Sequence, residues 1–219
     1  MVTNWLLDFD DTLASGSTTW GWKHALPKLV REHQLPFDRE RFQRAAQAAQ
    51  ARVADSAELE PAIEQLFQTM GWPAALQKAL IEDVLTSYEP ELFADAVPFL
   101  DRLRAARHTV YIVSNNPRSV ALAQRLGIAP YIARFFTPDA HADGLAKPDP
   151  RLWAHIAAAA GVTAQNSAVV GDDPWTDGAF AEQCGLACWL VDRDERFGAL
   201  DEGGGRRRVA SLAEIPVGG

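Results

Sequence analysis

The sequence predicts an α/β fold: a parallel sheet with helices on both faces and an all-helical insertion after its first strand. Three observations carry this. Short apolar runs at Trp5–Leu7, Thr109–Val113, Ser167–Gly171 and Ala187–Val191 stop abruptly, and each of the first three gives way to polar residues and then a helical pattern. The first and third of these runs end in acids, Asp8, Asp10 and Asp11 in one case and Asp172 and Asp173 in the other. Between the first run and the second lies a stretch of helical periodicity with no strand signal. These shifts assign residues 1–15 and 90–219 to the α/β domain and residues 16–89 to an all-helical insert.

Taken in order, Trp5, Leu6 and Leu7 read as a buried strand whose switch to carboxylates marks its exit from the core. The small, polar segment after Leu13 contains Gly16 and reads as a hinge. Trp20, Trp22, Ala25, Leu26, Leu29 and Val30 then recur at helical spacing, and Phe42, Ala45, Ala46, Ala49 and Val53 do so after Pro36. Two further helices follow, one with Ile63, Leu66 and Phe67 and one with Leu76, Leu80, Val84 and Leu85, separated by Gly71 and Pro73. Beyond Pro90 the strand-helix alternation returns. Pro98–Ala106 reads as a helix, Thr109–Val113 as a strand, and Pro117 opens a helix that Gly127 closes. Phe135–Phe136 reads as a short strand, Arg151–Ala160 as a helix closed by Gly161, and Ala179–Cys184 as a helix capped by Gly185. Gly203–Arg208 lacks the spacing and the lysine of a phosphate loop and reads as a solvated loop.

Composition narrows the function. With 219 residues and 47% hydrophobic composition the chain can bury a substantial core. A formal charge of -8 argues against nucleic acid as a partner, because such proteins usually present a basic face. Cys184 and Cys188 lack the second pair a structural zinc site needs and read as buried thiols. No apolar run approaches the roughly 20 residues that span a bilayer, so the expectation is a soluble, cytoplasmic protein without a membrane partner. Monomer and homodimer both stay open.

In open parallel sheets, ligands bind beyond the carboxyl ends of the strands, which is where Asp8, Asp10 and Asp11 emerge. A carboxylate cluster repels itself unless a cation or hydrogen-bond donors offset the charge, and a divalent metal is the economical solution. Taken singly, each residue has a plainer reading. An aspartate after a buried strand often caps a helix or forms a turn, Ser114 suits an N-cap, and Lys147 suits an exposed loop. None of His24, His33, His108, His141 and His155 pairs at metal-ligand spacing. Trp20 and Trp22 read either as packing within the insertion or as a grip on an apolar leaving group, and Arg118 as a surface residue or an anion contact.

In order along the chain stand LLDFDDT, YIVSNN, the lysine of AKPDP, and VVGDDPWTD. On these four motifs, spread over essentially the whole chain, the sequence strongly resembles the haloacid dehalogenase superfamily, in particular its phosphatases with a helical cap between the first and second motifs. The resemblance implies a Rossmann-like α/β core and a magnesium-dependent phosphatase acting on a small phosphorylated metabolite through an aspartyl-phosphate. It makes Asp8 the nucleophile and Asp10 the general acid and base. Mg2+ would be held by Asp8, Asp172 and the backbone carbonyl of Asp10. Ser114, Asn115 and Lys147 would bind the phosphoryl group, while Thr12 steadies the first loop and Asp177 orients Lys147 or a metal-bound water. Asp11 and Asp173 read as second-rank partners or turn residues, with a turn preferred for Asp11.

The physical chemistry agrees with that scheme. An anionic phosphate monoester repels nucleophiles, so charge neutralisation must supply much of the catalysis. Three other readings share the motifs or the fold: a phosphomutase or phosphotransferase, a dehalogenase, and a non-enzymatic phospho-acceptor or binding protein. The family's dehalogenases generally lack the aspartate found here at Asp10, response-regulator receivers, the phospho-acceptors in question, are shorter and have no helical insert of this size, and the intact motif residues speak against a silent binding protein. Residues 17–89 carry 8 Lys and Arg against 10 Asp and Glu, a near-neutral balance that favours small monoesters over nucleoside triphosphates.

Overall fold

The structure, a computed structural model, describes residues 1–46, 59–193, 195 and 205–218. Six parallel strands form one sheet: β1 (Asn4–Leu7), β2 (Thr109–Val113), β3 (Arg134–Phe136), β4 (Ser167–Gly171), β5 (Ala187–Val191) and β6 (Arg206–Val209), in the order β3-β2-β1-β4-β5-β6. This is the α/β architecture read from the sequence. β1 and β4 are buried throughout, as the unbroken apolar runs require of strands covered on both faces. On one face Leu6, Val113, Phe136, Leu152, Ile156, Val169 and Phe180 form a single core. Trp5 meets Phe99 edge-on at 5.8 Å between ring centroids, and its indole N–H donates to His108 Nδ1 at 2.9 Å.

The order of strands determines where ligands can go. The chain runs outward from β1 through β2 to β3, then returns to the other side of β1 and runs outward through β4, β5 and β6. The loops that leave β1 and β4 therefore diverge, opening a crevice beyond their carboxyl ends. Leu7 pairs with Val170 in register, so Asp8 and Asp172 lie one and two residues beyond a matched pair on adjacent strands.

Local chemistry explains the helix ends. Asp149 accepts a hydrogen bond from the amide of Arg151 and caps Pro150–Ala160, which Gly161 closes in the left-handed region at φ 68°. The helix after β2 starts at Ser119, two residues beyond Pro117, because Asn116 first closes a turn: its Oδ1 accepts from the Arg118 amide and its carbonyl from the Ser119 amide. The helix expected at Pro98 begins at Ala96.

One expectation is corrected. Arg206–Arg208 belong not to a solvated loop but to the edge strand β6. Three successive arginines carry no apolar signal, yet each is paired: Arg206 with Glu182 at 3.7 Å, Arg207 over the ring of Trp189 at 5.0 Å and Arg208 with Asp192 at 2.9 Å. Long aliphatic stems and matched charges allow such a strand at an edge. Gly203 and Gly204 lie outside the described residues.

Packing divides the chain into two compact units, Met1–Gly16 with Pro90–Gly219, and Ser17–Glu89. Within the second, a helix runs Ser17–Trp20, loosens into a π-turn at Gly21–Ala25 and finishes as Leu26–Glu32; residues 39–46, Leu59–Met70 and Ala75–Ser87 supply the other helices. Leu26, Leu29, Ile63, Leu66, Phe67 and Leu80 lie in its own core. Trp20 packs against His24 and Tyr88, and Trp22 against Phe42, so both tryptophans have partners inside this unit. Ala49 and Val53 lie outside the described residues. No helix among the described residues is long and apolar enough to cross a membrane.

In the larger unit, the chain passes toward the insertion and back along adjacent paths. Ala14 bridges Leu92, the Ser15 amide donates to Glu91 O at 2.9 Å, and the Phe93 amide donates to Leu13 O at 3.0 Å. Below this pair of crossings Asp95 ties down the C-terminal segment. Its Oδ2 accepts from Arg193 Nη1 at 2.7 Å, Ser211 Oγ at 2.7 Å and the Leu212 amide at 2.9 Å. Burial raises the Asp95 pKa, but Arg193 and Ser211 outweigh it and hold the carboxyl below its ordinary value. A depressed folded-state pKa means that the stabilisation is present above the unfolded value, near 4, and is lost as pH falls through the lower folded value. Asp95→Asn should therefore cost on the order of 2 kcal/mol near neutral pH. In urea unfolding, the gap between wild type and variant should narrow steadily as the pH is taken below about 4.

Candidate active site

At the crevice beyond β1 and β4, buried charge is concentrated. Asp8 continues the ladder by donating its amide to Val170 O at 2.8 Å, which fixes the backbone from which its carboxylate projects. Lys147, whose side chain is 3% exposed, donates to Asp8 Oδ1 at 2.7 Å and also to Asp177 Oδ1. Asp177 lies in a π-turn, Pro174–Gly178, that follows β4, and its other oxygen accepts the Asp173 amide at 3.2 Å. The structure thus brings Asp8, Lys147, Asp172 and Asp177 together from separate segments of the chain.

Asparagines set the remaining geometry. Asn115 Nδ2 donates to the Lys147 carbonyl at 2.9 Å and its Oδ1 accepts the Lys147 amide at 2.8 Å, a reciprocal pair that locks the lysine's backbone. The Asn115 side-chain amide is thereby engaged in holding Lys147. Asn116, which sequence reasoning passed over, donates Nδ2 to Asp10 Oδ2 at 2.9 Å. The signal for it was the doubled asparagine after Ser114. Ser114 is buried and accepts the Asn116 amide on its hydroxyl oxygen at 3.1 Å, leaving its own O–H to donate.

Other expected residues sit nearby with plainer parts. Thr12 is fully buried, and its hydroxyl has no hydrogen-bond partner among the described residues. Asp11 has φ 55° and accepts the Gly16 amide at 2.9 Å, as a turn residue does. Asp173 accepts the Trp175 and Thr176 amides and caps the π-turn. Arg118 is exposed at the start of its helix. His108 accepts from Trp5 and His155 faces Asp143, and neither belongs to the cluster of Asp8, Asp172 and Asp177. Cys188 is buried and Cys184 partly so, and burial pushes both thiols up.

Electrostatically the site is short of positive charge. Burial pushes the Asp8 pKa up to about 8, with Asp177 and Asp10 adding to the rise and Lys147 opposing it. Burial also works against the charge on Lys147, but Asp177 and Asp8 outweigh it, and the ammonium is held well above its ordinary value. One fixed cation therefore stands among several buried carboxylates. Asp8, Asp172 and Asp177 each offer an oxygen within 4.8 Å of the others. An undercompensated cluster of hard oxygen donors fits a divalent cation of the magnesium kind. Among the described residues no other such cluster occurs.

Gly171, the last residue of β4, makes the arrangement possible. A Cβ there would lie 2.1 Å from Asp177 Cγ, so a side chain of any size displaces the acid that holds Lys147. Gly171→Ala should lower hydrolysis on the order of 100-fold, a loss typical of reacting groups misplaced by about 1 Å, while a circular-dichroism spectrum of wild-type shape reports an intact sheet.

The chain was compared with known proteins. The model of the haloacid dehalogenase-like hydrolases matches residues 5–185. YfnB from Bacillus subtilis, designated a HAD-hydrolase and crystallised with magnesium, is similar with a TM-score of 0.71 at 18% identity, over 97% of this chain and 96% of that one. A HAD phosphatase from Thermococcus onnurineus is similar with a TM-score of 0.59 at 18% identity, over 98% and 95%. A 2-haloacid dehalogenase from Pseudomonas syringae pv. Tomato DC3000 is similar with a TM-score of 0.57 at 19% identity, over 97% and 96%. No curated protein matches. At these identities the solved structures speak for the fold, and the family match, spanning all four motifs, speaks for the chemistry: the chain belongs to the haloacid dehalogenase-like hydrolases and is a hydrolytic enzyme.

Proposed function

We propose that the protein is a magnesium-dependent phosphatase that hydrolyses a small phosphate monoester through an aspartyl-phosphate. The observation that carries this reading is a second acid, Asp10, two residues beyond Asp8 and held by Asn116. A halide leaves carbon as a stable anion and needs no proton, whereas an alkoxide leaving phosphorus does. A proton donor fixed beside the nucleophile helps to expel an alkoxide and does nothing to expel a halide.

In the first half-reaction an Asp8 carboxylate oxygen attacks phosphorus, the bond from phosphorus to the ester oxygen breaks, and protonated Asp10 gives its proton to the departing oxygen. In the second, Asp10, now a carboxylate, takes a proton from water, the resulting oxygen attacks phosphorus, and the bond to Asp8 breaks. Lys147 places a permanent positive charge beside the attacking oxygen, and Ser114 has an O–H to donate to a phosphoryl oxygen. Asn115 keeps the lysine in position and Asn116 keeps the acid in position. Mg2+ held by Asp8, Asp172 and the Asp10 carbonyl, with Asp177 within reach, would neutralise charge shared between the carboxylates and the phosphoryl group. Asp177 and Thr12 support the site, the one through Lys147 and the other by filling space in the first loop.

The near-neutral charge of residues 17–89, which we assign as a cap, supports a small metabolite with a neutral or apolar leaving group over a nucleoside triphosphate. Purified protein should release phosphate from an aryl phosphate only with magnesium, and Asp8→Asn should abolish release. Equal activity in both proteins would remove Asp8 from the role of nucleophile. Asp10→Asn should slow alkyl phosphates by on the order of 10^2- to 10^4-fold and activated aryl phosphates far less, because a good leaving group departs without a proton. In a substrate panel, triphosphates as the best substrates would overturn the assignment of substrate class.

A further inference from the structure

Arg193 lies beyond the residues that the family model matches, just past the end of β5, and its guanidinium reaches back to the first loop. Nη2 donates to the Thr12 carbonyl at 2.9 Å while Nη1 donates to Asp95 Oδ2 at 2.7 Å. The same guanidinium lies over the ring of Phe93, 4.1 Å from its centroid. It therefore touches both paths of the chain at once, the outgoing one at Thr12 and the returning one at Phe93 and Asp95.

The turn that it grips carries Asp10. Leu13 and Ala14 both donate their amides to Phe9 O, at 3.0 and 3.1 Å, and the Asp11 amide donates to Ala14 O at 2.6 Å. These bonds close residues 9–14 on themselves, and Asn116 reaches only the tip of the Asp10 side chain. Backbone bonds hold the far end of the turn, where the Phe93 amide donates to Leu13 O and Ala14 bridges Leu92, and Arg193 adds a side-chain bond one residue nearer to Asp10, at the Thr12 carbonyl. Thr12 is fully buried and its hydroxyl has no hydrogen-bond partner among the described residues, so at this residue it is the carbonyl that is held.

We propose that Arg193 is a positioning residue for the acid loop, fixing through the Thr12 carbonyl where Asp10 stands; as a role in catalysis this rests on the phosphatase reading above. Arginine suits the place for a geometric reason. A planar fork can donate in two fixed directions while its face packs on an aromatic ring, and a lysine ammonium cannot satisfy all three neighbours. Asp95 is the anchor: it orients the fork, and is itself fixed by Ser211 and Leu212. Displacements of the order of 1 Å in a catalytic group cost up to about 100-fold in rate, so a bond remote from phosphorus can still govern kcat.

The test uses Arg193→Met, Arg193→Lys and Ser211→Ala, each compared with the wild-type protein. Two readouts are taken: kcat and KM for an aryl phosphate with magnesium, and amide hydrogen exchange at Leu13 and Ala14. Arg193→Met should lower kcat at least about 10-fold with little change in KM, and should speed exchange at both amides about 10-fold. Arg193→Lys should recover part of each loss. Ser211→Ala, which weakens the anchor of Asp95 while the Leu212 amide still holds it, should lower Tm and give losses of kcat and of exchange protection several-fold smaller than those of Arg193→Met. A folded Arg193→Met protein with wild-type kcat and exchange would overturn the proposal. So would a Ser211→Ala protein that loses as much kcat as Arg193→Met, since the residue would then act only through stability. If the wild-type protein released no phosphate, the phosphatase reading would fail while the exchange rates still decided whether Arg193 holds the loop. If Arg193→Met does not fold, Arg193→Lys with intermediate exchange at the same amides supports the proposal, and wild-type exchange overturns it.

Discussion

A single buried ammonium shared between two carboxylates governs this site. Lys147 touches Asp8 and Asp177 together, and it cannot do so unless three otherwise unrelated segments converge. Its backbone must be held from β2, which Asn115 accomplishes through two hydrogen bonds. The end of β4 must leave room for Asp177, which Gly171 does by having no side chain. The sheet must present β1 and β4 side by side, which the strand order ensures. Charge follows from the same constraint: one lysine leaves buried Asp8 undercompensated beside Asp177 and Asp10, a condition that favours a further cation at the same place.

Much of this was legible along the chain because the chemistry sits at strand ends. An apolar run that halts in polar residues signals both a buried strand and the loop beyond it, so Asp8, Ser114 and Asp172 could be placed at strand ends, while the order of the motifs was needed to single them out. Gly161 marked the end of a helix correctly because capping is local, decided by residues within a turn of one another. Lys147 was harder, since nothing near it in sequence distinguishes it from a surface lysine. Only its place in the order of motifs did so.

The remainder was hidden for a physical reason. Asn115, Asn116 and Arg193 act on partners 32, 106 and 181 residues away, and two of the three bond to backbone, which leaves no pattern of residue types to read. β6 escaped notice because an edge strand can be held by paired charges and by stems packed on a ring instead of alternating apolar residues. Residues 117 and 118 look like the start of a helix, but Asn116 closes a turn there first, and such competition between a side chain and the backbone is decided in three dimensions.

The adjacent crossings at Ala14–Ser15 and Glu91–Leu92 have an evolutionary consequence. Because the chain leaves and re-enters the α/β domain at neighbouring points, what lies between them is topologically a cassette. Its length and sequence can vary, or it can be exchanged for another, without disturbing the register of any strand. The α/β domain and the inserted module are thus free to diversify at different rates.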